Sequence, residues 1–437
     1  GTVPAGSYVE PYTHPTLQIP VYSLYGSTRK PTLDMLQNVD VLVFDIQDVG
    51  ARWYTYISTL NYVLEVAGSC GKPVIVLDRP NPLGGEIVEG PVLEDRFKTF
   101  VGVDNIPMAH GMTIGELARF FNRSSNGFNA DLTVVPMQGY TRDMIWQDTG
   151  LSWIPTSPNI PTIESAFCYM ATGLGDGTGV GQRDKFTWVG GLGIDSQRFA
   201  DLLNGSNLSG VEYIPDTRGS YGGVKLKITD YRTFNPARSG IYALAYARQL
   251  SSFKVPKSGS TASSIVKFDK IMGTDRMGIW LEQKLSPREI EERYAKELEQ
   301  FKTERQKYLI YGYAGKPGMV AVVVDRVPLF FDSEPYIDEN GRTIVPVRAI
   351  AEALGAEVNW NQERREVTIA NGSSSVSMII GSNVAWIDGQ EFVMDTVPVL
   401  VNGRTMVPAR YVSELLGAVV DFDYAVEYGY KTVLINR

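Results

Sequence analysis

The sequence runs to 437 residues, enough for two or three domains, and its 43% hydrophobic and 21% charged residues exclude wholesale disorder and a fibrous fold. A net charge of −8 without any run of basic side chains argues against a nucleic-acid partner. No apolar stretch approaches the roughly 18 to 20 residues that a membrane span needs. The sequence opens on Gly1 rather than Met and on a polar segment, so processing or a fragment is expected and no signal peptide is legible.

From Pro20 to about Tyr140 short apolar runs alternate with amphipathic segments, the pattern of strands joined by crossover helices in a parallel sheet. VDVLVF, from Val39 to Phe44, reads as a fully buried strand. Ile57, Leu60, Leu64 and Ala67 then recur at helical spacing until Gly68 and Gly71 stop the helix. PVIVL, from Pro73 to Leu77, is expected to be a second buried strand, Thr113 with Glu116 a capping box opening a helix, and LTVV, from Leu132 to Val135, a third strand. The layout expected is doubly wound α/β. Between about Gly150 and Thr217 the Pro-rich WIPTSPNIPT and the Gly-rich ATGLGDGTGVGQ read as irregular functional loops. A smaller α/β section follows, with VKLKIT as a strand, IYALAYARQL as a helix, and a closing helix that starts at Ser286 and packs through Ile290, Tyr294, Leu298 and Phe301.

The tail repeats itself. NGRTIVPVRAIAEALGAEV from Asn340 is matched by NGRTMVPARYVSELLGAVV from Asn402, 62 residues further on, each copy reading as turn, strand, helix ended by Gly355 or Gly417, then strand. Glu352 and Glu414 are expected on exposed helix faces, with no catalytic constellation among them.

Cys70 and Cys168 are far apart and read as small buried side chains rather than a disulfide. With only His14 and His110, a histidine-rich metal site is not expected, nor a Ser/His/Asp triad, since no GxSxG elbow follows a strand. The glycines of GLGDGTGVG do not open a helix after a strand, so they are a weak dinucleotide fingerprint and no cofactor is expected. Ligands of an open parallel sheet bind beyond the carboxyl ends of its strands. Asp45, Asp48, Arg52, Tyr54 and Tyr56 follow the first strand there, and Asp78, Arg79, Asn81, Glu86 and Glu89 follow the second. Carboxylates, guanidinium groups and aromatic rings on one edge suit a polyhydroxylated, partly anionic ligand. Each also has a structural reading: Asp45 or Asp78 as a turn cap, Arg79 as the ion partner of Asp45, Glu116 as a capping residue, His110 as a buried hydrogen-bonding group.

The motifs PVYSLYG, RKPT, VLVFDIQDVGARWYTY, VIVLDRPNPLGG, VEGPVL, HGMTIGELARFFN and SPNIPT, in this order, resemble the exo-β-N-acetylmuramidases of the NamZ type from about Pro20 to Tyr313. The resemblance implies a Rossmann-like domain with a smaller α/β domain, and removal of N-acetylmuramic acid from the non-reducing ends of peptidoglycan fragments. It also implies a further strand, helix and EHG loop ahead of Gly1, and a Gly-rich segment in which Asp176 stands where Glu is common and Arg183 lacks flanking glycines. The tail from about Val320 to Arg437 resembles the copper amine oxidase N-terminal-like domain, which implies a surface or cell-wall accessory module of an exported protein of a Gram-positive bacterium.

The fold expected is therefore α/β: a Rossmann-like parallel-sheet domain over 1–150 without its first βα unit, irregular loops and a smaller α/β domain over 151–313, a linker over 314–319, and an α+β repeat module over 320–437. Glycosidic cleavage needs an acid and a second carboxylate, unless the substrate's own acetamido group assists. Glu89 is expected as the acid, with Asp48 or Asp45 as its partner. Arg52, Tyr54, Arg79, Asn81, His110, Asn159 and Arg183 are expected to bind substrate, Arg52 or Arg79 reading the lactyl carboxylate. The partners expected are muramic-acid-terminated saccharides and, through the tail, the cell wall, and the location expected is extracellular or wall-associated. A non-catalytic glycan-binding protein, or less readily a wall-directed esterase or amidase, is the competing expectation.

Overall fold

The computed structural model describes residues 8–26 and 28–312, and residues 320–437 apart from 326, 330, 332, 334, 339, 340, 373, 402 and 424–430. The linker expected at 314–319 and the repeat-opening Asn340 and Asn402 lie outside the described residues. The chain divides into two compact units: one runs to Pro136 and resumes from Asp143 to Tyr308, the other joins Met137–Arg142 to Leu309 and beyond. Both α/β sections thus fall within the first unit.

Three parallel strands, β1 (Leu42–Phe44), β2 (Val74–Leu77) and β3 (Leu132–Val135), form a sheet in sequence order with Val43 beside Ile75 and Ile75 beside Thr133. Helix α1 (Tyr56–Cys70) connects the first pair and α2 (Ile114–Phe121) precedes the third strand, and the two helices pack on each other. The helix α1 does not stop at Gly68. That glycine lies inside it because the chain crosses there, and a Cβ would stand 1.8 Å from the Phe128 carbonyl oxygen. Gly71, at φ +66°, ends the helix.

The strands are not fully buried, contrary to their continuous apolar text. Phe44, Val74 and Val76 face the helices and are closed off, whereas Val43 is 61% and Val135 45% exposed. Among the described residues the helices cover one face only, so the opposite alternate positions meet solvent. The stretch read as irregular also contains order. Thr162 caps a helix, α3 (Ile163–Thr172), whose Ala166, Phe167, Cys168 and Met170 are buried. Cys168 matches the expected buried thiol, while Cys70 is only half-buried, at a helix end, and both are free.

The second section is a four-stranded antiparallel sheet, in the order β4 (Gly181–Arg183), β5 (Trp188–Leu192), β7 (Tyr221–Ile228), β6 (Val211–Pro215). Helix α4 (Ser196–Asn204) packs on it and on α5 (Pro236–Leu250), which in turn meets α3. The closing helix α6 (Pro287–Arg305) starts at the Ser286/Glu289 capping box, as expected, and buries Ile290, Tyr294, Leu298 and Phe301.

In the second unit the duplication is exact in its elements. Strand β8 (Thr343–Pro346), helix α7 (Val347–Ala353) and strand β9 (Glu357–Asn361) recur as β10 (Arg404–Pro408), α8 (Ala409–Leu415) and β11 (Val419–Asp423). Gly355 and Gly417 sit at the same φ of +79°, where an L side chain is strained. Val345, Ile350, Val407 and Val412 fill a core of the unit's own, and Glu352 and Glu414 are exposed. No helix of the described residues is long and apolar enough to cross a membrane.

Gly68→Ala should lower stability by about 1–3 kcal/mol, since the added methyl meets backbone that has to move. Urea unfolding followed by circular dichroism reads it, and an unchanged midpoint would mean the chain at Phe128 yields freely.

Candidate active site

Three extended segments lie side by side beyond the sheet, with Ala109 in the middle. Ala109 bridges Ala51 on one side and Glu89 on the other, and the Arg52 N–H donates to the Met108 carbonyl (3.0 Å) while Glu89 and Ala109 exchange both backbone bonds (3.0 Å each). This arrangement brings residues 48–54, 89–93 and 106–112 together although they are distant in sequence. Arg52 fastens them: its guanidinium, wholly buried, donates to the carbonyls of Pro91 (2.7 Å), Ile106 (2.9 Å) and Ile271 (2.7 Å). Burial pulls its pKa down to about 9, so it stays charged at neutral pH. Its terminal nitrogens are thereby occupied and out of reach of solvent, which corrects the expectation that Arg52 reads a substrate carboxylate. Arg305, 5% exposed, does the same for the Gly85, His110 and Gly111 carbonyls.

Asp48 and His110 face each other inside this frame, with His110 Nε2 3.8 Å from Asp48 Oδ2. Asp48 Oδ2 accepts the Gly50 N–H (2.7 Å), and Asp48 Oδ1 has no hydrogen-bond partner. Burial raises the Asp48 pKa to about 7. Burial, reinforced by the Arg305 and Arg52 charges, lowers that of His110 to about 3. His110 Nδ1 accepts the Met112 N–H (3.2 Å), so the neutral ring carries its proton on Nε2, aimed at Asp48. A carboxyl poised near neutral pH with an unpartnered oxygen can both give and take a proton.

An aromatic wall borders Asp48. Tyr54 and Tyr169 have ring centroids 5.7 Å apart, and Tyr169 meets Phe186 at 4.8 Å. Burial pushes both tyrosine pKa values up, helped at Tyr54 by Tyr56 and then the Asp48 charge, and at Tyr169 by the Asp48 charge. The Tyr54 hydroxyl donates to Thr156 Oγ1 (2.8 Å) and that of Tyr56 to the Thr156 carbonyl (2.7 Å), tying the Pro-rich loop to the wall.

Glu89 is half-buried and held on three sides: its carboxylate accepts from Tyr294 Oη (3.0 Å), Asn235 Nδ2 (3.3 Å) and the Gly90 N–H (2.9 Å). Asp45 and Arg79 form an ion pair at 2.6 Å, each side chain about two-fifths exposed at the ends of β1 and β2. Asp78 takes the Thr113 hydroxyl and the Gly115 N–H, both at 2.7 Å, at the start of α2, and Glu116 closes the capping box there. Asn81 is also an internal brace rather than a surface group. It is 4% exposed, donates to the Met112 carbonyl (3.1 Å) and accepts the Leu83 N–H (3.0 Å), so its amide is engaged within the frame. Asn159 and Arg183, by contrast, are exposed and line one cleft of about 300 Å³ with Lys185, whose Nζ donates to Asn159 Oδ1 (3.3 Å). Among the described residues no three His, Cys, Asp or Glu side chains gather closely enough to hold a metal ion.

Sequence reading missed Tyr169, Tyr294 and Asn235. Tyr294 was legible only as one member of an apolar helix stripe, and nothing local reveals that its hydroxyl reaches a carboxylate 205 residues away.

A buried carboxyl beside a neutral imidazole, a second restrained carboxylate and an aromatic wall are the groups from which acid–base hydrolysis can be built. The comparisons agree on the lineage. Residues 1–164 match the N-terminal domain, and residues 167–311 the C-terminal domain, of the exo-β-N-acetylmuramidase NamZ, and the chain belongs to this family. It is 42% identical over 326 residues to the peptidoglycan β-N-acetylmuramidase NamZ of Bacillus subtilis, covering 71% of this chain and 77% of that protein. Two DUF1343 family proteins of Bacteroides fragilis are similar in structure. One has TM-score 0.60 and 33% identity over 68% of this chain and 82% of its own, the other TM-score 0.50 and 26% identity over 68% and 81%. Residues 323–427 match the copper amine oxidase N-terminal domain.

Two expectations follow. Between about pH 4 and 6.5 the folded state holds a proton on Asp48 and none on His110, whereas the unfolded state, at ordinary values of 3.8 and 6.5, does the reverse. Their contributions to the pH dependence of stability therefore cancel. Asp48→Asn leaves the histidine alone, so stability should gain a rise with pH over that window relative to the parent. His110→Asn leaves the carboxyl, so stability should gain a fall, each slope up to about 1.4 kcal/mol per pH unit. Urea unfolding at a series of pH values reads both, and parallel curves for all three proteins would sink the assignment. Separately, Arg52→Met strands three carbonyls and should cost about 3 kcal/mol or more of stability, read as a lower urea midpoint.

Proposed function

We propose that this chain is an exo-acting glycoside hydrolase that removes N-acetylmuramic acid from the non-reducing ends of peptidoglycan fragments. The identity to a named β-N-acetylmuramidase, which runs through both sections of the first unit, carries this reading. The three-stranded sheet with its crossover helix belongs, on this reading, to a Rossmann-like domain. The site supplies the chemistry. Asp48 protonates the leaving glycosidic oxygen, because its carboxyl keeps a proton near neutral pH and its Oδ1 is unengaged. Glu89, fixed by Tyr294 and Asn235, is the second carboxylate, as base toward water or as nucleophile. Asp45, matched to Arg79, is the weaker candidate for that role. Tyr54 and Tyr169 offer apolar faces to the sugar ring, and Asn159 and Arg183 offer polar contacts at its rim. This assignment exchanges the roles expected from the sequence, where Glu89 was the acid. We further propose that the protein works outside the cell at a Gram-positive wall, with the second unit as the accessory part.

Incubation with the disaccharide of N-acetylmuramic acid β-1,4-linked to N-acetylglucosamine, followed by mass spectrometry, should reveal free N-acetylmuramic acid. Binding without release would make the protein a glycan-binding one. Asp48→Asn should cost on the order of 10² to 10⁴ in rate on this substrate and far less on an aryl glycoside, whose leaving group needs no proton. If Glu89→Gln rather than Asp48→Asn gives that selective pattern, Glu89 is the acid.

A further inference from the structure

Neither arginine expected to read a substrate carboxylate is at liberty to do so. Arg52 is committed to three carbonyls and Arg79 to Asp45. Two other cations stand where the aromatic wall ends. The hairpin that joins β4 to β5 carries Arg183, Asp184 and Lys185, and with Asn159, Gln182 and Phe186 they line the cleft of about 300 Å³.

Charge in this cleft is unbalanced. Its carboxylate, Asp184, turns to Arg218 (2.5 Å), which Asp216 also holds (2.6 Å). Among the described residues neither Arg183 nor Lys185 has a carboxylate within ion-pairing distance, and both are exposed. Lys185 Nζ donates to the neutral Asn159 amide, and the Arg183 guanidinium lies over the rings of Tyr221 (4.8 Å) and Trp188 (5.4 Å), which orient it without neutralising it. The backbone beneath them is fixed. Asp184, Lys185 and Phe186 stand consecutively at φ of +52°, +54° and +74°, where glycine is more at ease. Thr187 secures the turn by donating its N–H (3.2 Å) and its hydroxyl (2.9 Å) to the Asp184 carbonyl, and Thr172 Oγ1 donates to the Phe186 carbonyl (2.9 Å).

The cleft is continuous with the aromatic wall. Phe186 belongs to both, its ring edge-on to Tyr169, which leads on to Tyr54 and Asp48. The Pro-rich loop makes the same connection: Thr156 takes the Tyr54 hydroxyl, and Asn159, three residues on and so at most about 11 Å along the chain, takes Lys185. A sugar ring laid on the wall with its anomeric carbon toward Asp48 can therefore extend a short acidic arm to the two cations.

We infer that Lys185, with Arg183 beside it, determines specificity by binding the carboxylate of the lactyl ether on muramic acid. The inference rests on the hydrolytic reading for the identity of the sugar. An N-acetylglucosamine ring lacks that group, so charge-assisted bonds at this cleft separate the two sugars.

The test compares the full chain and its variants on the disaccharide of N-acetylmuramic acid β-1,4-linked to N-acetylglucosamine and on the same disaccharide with its lactyl carboxylate converted to a methyl amide. In the parent, neutralising the lactyl group should lower kcat/KM about tenfold or more, mainly through KM, and weaken calorimetric binding to match. Lys185→Met should lose about as much on the acid and little on the amide, which brings its preference for the acid within about threefold. Arg183→Gln should shift the preference the same way. Lys227→Gln, on β7 and ion-paired with Glu212 (2.9 Å), should keep the parent's preference. A lysine that only held the hairpin together would lower both substrates equally, so equal losses, or a preference that survives in both cleft variants, overturn the inference. Release of N-acetylmuramic acid without dependence on the lactyl charge leaves the hydrolase standing and removes this site. Binding that follows the expected pattern without any release keeps the site and removes the hydrolase, and absence of binding to the acidic disaccharide overturns both.

Discussion

The first unit depends on a buried positive charge. Arg52 loses its hydration entirely, and an uncompensated guanidinium in that position would be prohibitive. Three carbonyls offset the loss, and they belong to Pro91, Ile106 and Ile271, which no local interaction would gather. The charge therefore dictates where three loops run. Because Arg52 lies four residues beyond Asp48, and Ile106 four before His110, fastening those loops sets the carboxyl opposite the imidazole. Arg305 repeats the device on the His110 carbonyl from the far side, which links the closing helix α6 to the same point.

This frame explains why the site can hold a proton where water cannot stabilise its loss. Both Asp48 and His110 are driven to their neutral forms by the same burial, and the two arginines nearby make a second positive charge on His110 still less favourable. Glu89 answers to a different environment. Its partners are hydrogen-bond donors, a phenol, an amide and a backbone N–H. Two carboxyl groups, on the two segments that flank Ala109, are thus given different surroundings.

The second unit works by duplication. A two-fold through the Val345–Val407 pair lets one short motif bury its apolar side against its own copy. Once the core is shared, the residues around it are free to diverge, and Trp360 against its counterpart Phe422, each lining a cleft, is such a divergence.

The sequence by itself determined what is encoded locally. The Thr113 and Ser286 caps, the strands at LVF, VIVL and LTVV, the stripe of α6 and the 62-residue repeat all rest on period, caps and turns, which act over a few residues. It also made Asp48, Glu89 and His110 visible as chemical candidates, because polar groups after buried strands are unusual. Only the tertiary structure shows what each of them is held by. Arg52, Arg79 and Asn81 carry the same functional groups as ligand-reading residues, and whether such a group meets substrate, a carboxylate or a backbone carbonyl is settled by what distant segments bring to it. The exposed face of the parallel sheet and the helix at Ile163–Thr172 escaped for the related reason that burial is a property of neighbours in space. Protonation state was the least legible of all, since an aspartate near pH 7 differs from an ordinary one only in the water it has lost.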